Sequence, residues 1–211
     1  MSERYPNYDV LAKRWSPSWN EITRHVIERR LAVPREPVFF DKAEWETLCA
    51  VCDRIMPQPM DRPPVPLAAY VDQKITSRHL DGYRYAELPP QGEAWKRGLA
   101  ALDAEAQDAH GGHFHTLDGA QQDALLHRMQ QGELHGPAWG DMPCKPFFEH
   151  RVVADITHAY YGHPTAWNEI GFGGPASPRG YVRLKLDRRD PWEAVEDQPG
   201  NDAAEKNRHV V

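Results

Sequence analysis

The chain has 211 residues, 40% of them hydrophobic and 27% charged, which suits one domain with a sizeable core, or a domain with polar tails that account for a mean hydropathy of −0.72. A net charge of −6 argues against a nucleic-acid backbone as partner, because proteins that bind one are usually basic, and no stretch approaches the ~20 apolar residues of a membrane span. Three cysteines do not make a disulfide framework.

Residues 1–37 read as an N-terminal arm. Residues 1–10 are polar and aromatic rather than basic and then apolar, unlike a secretory leader. Arg29-Arg30 is not a usable twin-arginine signal, because Pro34, Arg35, Glu36 and Pro37 cut off any apolar run. The cytoplasm is therefore the expected compartment. Within the arm the pattern predicts a helix from about Pro17 to Leu31, started by Ser16 and stopped before Pro34.

A second helix is signalled by Asp41 with Glu44 three residues on, and its Trp45, Leu48, Cys52, Ile55 and Met56 recur at helical spacing until Pro57. A proline-rich link, 57–66, leads to a helix through Leu67, Val71 and Ile75. Another follows Pro90 with Trp95, Leu99, Leu102 and Ala106 on one stripe, closed by Gly111-Gly112. Thr116 or Asp118 starts a short helix through Leu125, Leu126 and Met129. Phe147 to Tyr161 forms the last long one, with Phe148, Val152, Ile156 and Tyr160 aligned.

Beyond it, Gly and Pro make 160–184 a structured loop, with Tyr181 to Leu184 extended. The residues from Asp187 form a charged, loose tail. The expected fold is all-α, an irregular bundle of about five to seven helices. Its domain would span 38–186, between an arm (1–37) and a tail (187–211).

No complete active site is visible. Cys49 and Cys52 lie in the third turn of a helix with no strand before it, unlike a thioredoxin-type pair, and read as packing residues. Cys144, between Pro143 and Pro146, is the cysteine placed for an intermolecular bond. His110, His113 and His115 cluster at a helix end, but no carboxylate or Cys follows at ligand spacing. Gly171-Phe172-Gly173-Gly174-Pro175-Ala176 matches a dinucleotide fingerprint only formally. Pro175 has no N–H for a pyrophosphate, and Pro178 precludes the helix that must follow.

What remains is the density of aromatics and Arg on 160–184, the residue types that dominate protein interfaces. Tyr160, Tyr161, His163, Trp167, Glu169, Phe172, Arg179, Tyr181 and Arg183 are the candidate partner-binding residues. A competing reading is a small free-standing enzyme or metal-binding protein built on His158, His163, Glu169 and Arg179. Another leaves 160–184 packed on its own core.

Three segments carry a resemblance: L-C-A-V-C-D-R-I-M-P-Q-P at 48–59, G-E-A-W-K-R-G-L-A-A-L-D at 92–103, and 160–184 followed by D-P-W-E-A at 190–194. Together they resemble the gluconate 2-dehydrogenase subunit 3 family over about residues 38–195. The resemblance implies an all-α accessory subunit without catalytic, cofactor-binding or metal-binding residues of its own. Its implied partner is a large subunit of the glucose–methanol–choline oxidoreductase type, which holds FAD and oxidises a sugar, glycoside or sugar acid. A cytochrome c subunit often accepts the electrons. Many members carry a twin-arginine signal that exports both subunits. This chain departs from them there, which implies either a cytoplasmic complex or a periplasmic one exported on the partner's signal.

Overall fold

The computed structural model describes residues 4–77, 81–177, 180 and 190–208. Nine α-helical segments and no strand occur among them, so the chain is all-α. It divides into two compact units, one formed by residues 33–160 and the other by 1–32 together with 161–211.

The 33–160 unit is built from helices whose ends the sequence dictates. Helix α2 (Lys42–Ile55) begins with a reciprocal cap: Glu44 N–H donates to Asp41 (2.9 Å), and Asp41 N–H donates to the Glu44 carboxylate (3.0 Å). Helix α3 (Leu67–Thr76) follows, then the twenty-residue α4 (Gln91–His110), which Gly111 closes in the left-handed conformation. Asp118 and Gln121 cap α5 (Gly119–Gln131) in the same reciprocal way. Helix α6 (Cys144–Phe147) runs through a π-helical segment (Phe148–Val153) into α7 (Ala154–Tyr161). The expected helix over 147–161 is therefore present, begins three residues earlier, and carries a wide turn in its middle.

Trp95 of α4 is fully buried at the centre of this unit. Phe40 (6.4 Å) and Phe147 (5.5 Å) meet its ring edge-on, and Trp139 meets Phe147 in turn (6.0 Å). Two buried carboxylates pin the helices around this cluster. Asp72 of α3 accepts from the backbone N–H groups of Val38, Phe39 and Phe40 at 2.9–3.1 Å, fixing the approach to α2. Asp155 of α7 accepts from Lys74 Nζ (2.9 Å), Gln91 Nε2 (3.0 Å) and Trp95 Nε1 (2.8 Å), and lies 3.7 Å from the Arg151 guanidinium. Asp81 completes the group by pairing with both Lys74 and Arg151. Two cations thus face two carboxylates, which is how ionised groups tolerate burial.

The second unit joins sequence-distant pieces. A 3-10 turn (Val10–Trp15), α1 (Glu21–Leu31), α8 (Pro164–Ile170) and α9 (Ala203–Arg208) surround a core of Tyr8, Val10, Trp19, Ile27, Trp167, Trp192 and Ala194. Helix α1 starts at Asn20, whose side chain accepts from Thr23 N–H (2.8 Å), and not at Ser16. Ser16 instead ends the preceding turn, its N–H donating to Lys13 C=O, while its hydroxyl accepts from Ser18 N–H. The residues after Asp187 are not uniformly loose, because Trp192 and Ala194 are buried with the arm. Asn207 donates to Pro6 C=O (3.0 Å) and exchanges two hydrogen bonds with the Val195 backbone.

Gly98 offers a test of the α4–α6 packing. A Cβ there would lie 2.2 Å from the Phe147 ring, which is itself fully buried and cannot retreat. Gly98→Ala should cost about 1–3 kcal/mol by overpacking, outweighing the gain in helix propensity. Chemical denaturation of the purified variant measures this, and unchanged stability would mean that Phe147 is not wedged against α4.

Candidate functional site

The first half of the 160–184 segment is helical rather than loop. Tyr160 and Tyr161 end α7, and α8 occupies 164–170. Two of the residues that suggested a loop, Pro164 and Gly171, act as helix punctuation, while 172–177 runs on without helix. Pro164 sits in the first helical turn, where its fixed φ suits a helix start and no N–H is missed. His163 caps that turn, Nδ1 accepting from Thr165 N–H at 3.2 Å. Gly171 ends α8 at φ +66°, and a Cβ there would be driven to 2.5 Å from the Tyr5 ring.

The aromatic residues of the segment take different roles. Trp167 is only 3% exposed. Its Nε1 donates to Tyr161 C=O (2.7 Å), Phe172 meets it edge-on (5.6 Å), and the Arg30 guanidinium covers its ring at 5.6 Å while donating to Gly162 C=O (2.7 Å). Trp167 thus fills the core of its own unit. Tyr160 is buried in the 33–160 unit, where its hydroxyl accepts from Arg62 (3.2 Å). Tyr161, Glu169 and Phe172 remain exposed. Arg179, Tyr181 and Arg183 lie outside the described residues. Of the competing set, His158 is exposed on α7, while His163 and Glu169 belong to the second unit and Arg179 is not described.

Sequence reasoning missed an apolar face on α1. Thr23 and Ile27 turn inward, while Ile22 and Val26, also four residues apart, turn outward. Ile22 is 73% exposed, and Trp15, 78% exposed, lies beneath the Arg24 guanidinium at 5.2 Å. The signal was present: Ile22 and Val26 lie about 100° around the helix from Thr23 and Ile27, far enough for one pair to turn away from the core. Ile170 adds a further exposed apolar side chain from α8.

The remaining chemistry-bearing residues have structural partners. His113 pairs with Asp103 (2.7 Å), which also accepts from Phe114 N–H, and His115 approaches Glu46 at 3.5 Å. Asp103 comes from the preceding helix α4, ten residues back, and Glu46 from the distant α2. Among the described residues, no three His, Cys, Asp or Glu side chains group as metal ligands. Burial pushes the Cys49 thiol up to about 11 and the Cys52 thiol well above its ordinary value, which makes both poor nucleophiles. Cys144 is buried, with its Sγ directed at Met129 C=O, so it is not placed for the expected intermolecular bond.

Two outcomes follow for the isolated chain. Trp167→Ala should lower unfolding stability by about 3–5 kcal/mol, as for other large core truncations, and a loss below 1 kcal/mol would place Trp167 outside the core. Burial first, and the Arg30 charge second, lower the His163 pKa to about 4 from an ordinary 6.5. The unfolded chain therefore binds a proton there that the folded chain refuses. Stability should be full above pH 6.5 and decline as pH falls towards about 4. In His163→Gln that decline should flatten, as read from melting temperature against pH.

No curated protein and no solved structure matches the chain. A family profile does, described as gluconate 2-dehydrogenase subunit 3, over residues 42–174. The match runs from α2 through α8 to Gly174, taking in two of the resembling segments and the first part of the third. With well over half of its length matched, the chain belongs to the gluconate 2-dehydrogenase subunit 3 family.

Proposed function

We propose that this chain is the non-catalytic accessory subunit of an FAD-dependent sugar, glycoside or sugar-acid dehydrogenase. It docks through the 1–32 and 161–211 unit onto a flavoprotein of the glucose–methanol–choline oxidoreductase type. The family supports the role as a subunit of a dehydrogenase complex. The distribution of exposed apolar side chains supports the docking face. Of nine large hydrophobic residues that stand exposed among the described ones, six belong to this smaller unit: Trp15, Ile22, Val26, Tyr161, Ile170 and Phe172. Exposed apolar surface of this kind marks sites of association. Trp, Tyr and Phe are also the anchors that contribute most at interfaces. FAD resides in the partner, and a cytochrome c subunit takes the electrons where one is present.

Co-expression with a flavoprotein of that type encoded beside the gene tests the reading. The two chains should co-purify with flavin absorbance, whereas this chain alone should be colourless and inactive on sugars with artificial acceptors. Ile22→Asp with Ile170→Asp, both on exposed side chains, should weaken association at least about tenfold and leave the melting temperature of the isolated chain unchanged. Undiminished co-purification of that double variant would remove this face from the interface. Sugar oxidation by the isolated chain would overturn the accessory role.

A further inference from the structure

A second site lies in the 33–160 unit and uses none of the residues proposed for docking. The π-helical segment between α6 and α7 carries His150 and Arg151 on its wide turn. Such turns recur at functional sites because the extra residue re-aims the side chains around it. Arg151 is turned inward, its side chain only 6% exposed. Its Nη1 donates to Asp81 (2.8 Å) and stands 3.7 Å from Asp155. Among the described residues no acceptor meets Nε or Nη2, so part of the guanidinium fork is unused.

Arg151 also borders a cleft of about 200 Å³, whose other walls are Tyr83, Arg84, Tyr85, Leu88, Pro89, Pro90 and Gln91. Its shape is fixed by stacking. Tyr85 lies flat on His150 (3.6 Å between centroids, 4° between planes), Tyr83 meets it edge-on (5.6 Å), and the Arg151 guanidinium stands 5.9 Å from its ring. Gln91 is held by its bond to Asp155. The cleft is therefore built by the same buried network that holds α3, α4 and α7 together.

The lining selects a ligand class. Lys74 and Arg151 balance Asp81 and Asp155, and Arg84 adds one positive charge at the cleft wall, so the surplus matches a single anionic group. A partly free, buried guanidinium suits the planar, two-oxygen geometry of a carboxylate. Tyr, Pro and Leu suit a flat or apolar body beside it. The volume falls below the roughly 300–1,000 Å³ of sites for drug-sized ligands, leaving room for about one ring. We infer that the cleft between Arg151, Arg84 and Tyr85 binds a small monocarboxylate with a flat apolar body, in addition to any role of this chain in assembly.

Benzoate is the probe, titrated into the full-length chain and followed by calorimetry and by the amide resonances of Tyr83, Tyr85 and Arg151. Saturable binding that shifts these resonances is expected, with inorganic phosphate at the same concentration binding at least about tenfold more weakly, since it lacks the flat apolar body. Arg151→Lys, which keeps the charge and loses the fork, should weaken benzoate about tenfold. Should that variant fail to fold, Arg84→Ala and Tyr83→Ala, both on exposed side chains, should each weaken it severalfold. A blocked peptide bearing one Glu side chain distinguishes the source of the carboxylate. Benzoate bound in preference to the peptide identifies a free acid, and the reverse identifies a protein side chain. Absence of binding by both probes, or benzoate binding that Arg84→Ala and Tyr83→Ala leave unchanged, would overturn the site. None of these readouts involves the flavoprotein, so the result is independent of the docking reading.

Discussion

Asp155 is a carboxylate almost wholly removed from water, and such a group persists only where donors surround it. Here the donors are Lys74 on α3 and Gln91 and Trp95 on α4, while the Arg151 charge, one turn back on its own helix, stands 3.7 Å away. Each of those bonds spans sixty or more residues, so the network sets tertiary arrangement rather than local helicity. It also decides where the aromatic core sits, because the Trp95 indole that Phe40 and Phe147 pack against is held by its N–H. Replacing such a network with apolar side chains need not lower stability. What it supplies here is a single register for α3, α4 and α7, and with it a fixed position for Tyr85 and Arg151 beside the cleft.

The second unit is organised by shape rather than charge. Trp19, Trp167 and Trp192 come from three distant parts of the chain and share one core with Val10 and Ile27. Arg30 bonds to the Gly162 carbonyl and lies over Trp167, so α1 and the start of α8 are fastened at the same point. With its inward face occupied in this way, α1 turns Ile22 and Val26 to the outside. The fold therefore stabilises an apolar surface that is left uncovered within the chain.

Helix starts and stops were legible in the sequence wherever the signal is local. Asp41 with Glu44, and Pro90 and Gly111 around α4, each act within a few residues and behave as read, while the open choice between Thr116 and Asp118 falls to Asp118, capped reciprocally with Gln121. The start of α1 was less legible, since Ser16 and Asn20 are both capable caps and the choice depends on the 3-10 turn already formed at 10–15. The π segment left a fainter trace. Phe148, Val152, Ile156 and Tyr160 recur every four residues, and on a regular helix each such step drifts by about 40°. Such drift is taken up by a locally wider turn. The family resemblance was legible on short motifs, and the profile match over 42–174 carries it. The position of Trp167 was not legible at all, because it is decided by residues 5–30 and 192–194, far away in sequence. For the same reason Pro164 and Gly171 looked like loop formers when they start and end a helix.

The bonds between Asn207 and both Pro6 and Val195 show that the first and last stretches of the chain complete one unit. Residues 33–160 are contiguous in sequence, so during synthesis this unit can begin to form as it emerges. Residues 1–32 cannot, and their apolar side chains, Trp19 and Ile27 among them, must wait through about 160 further residues, around ten seconds or more at ordinary elongation rates. Contacts so distant in sequence also form slowly once all the residues are available. The arm thus lacks its packing partners until residues 161–194 have emerged, and premature termination near residue 190 would leave Trp19 and Trp167 without their partner Trp192.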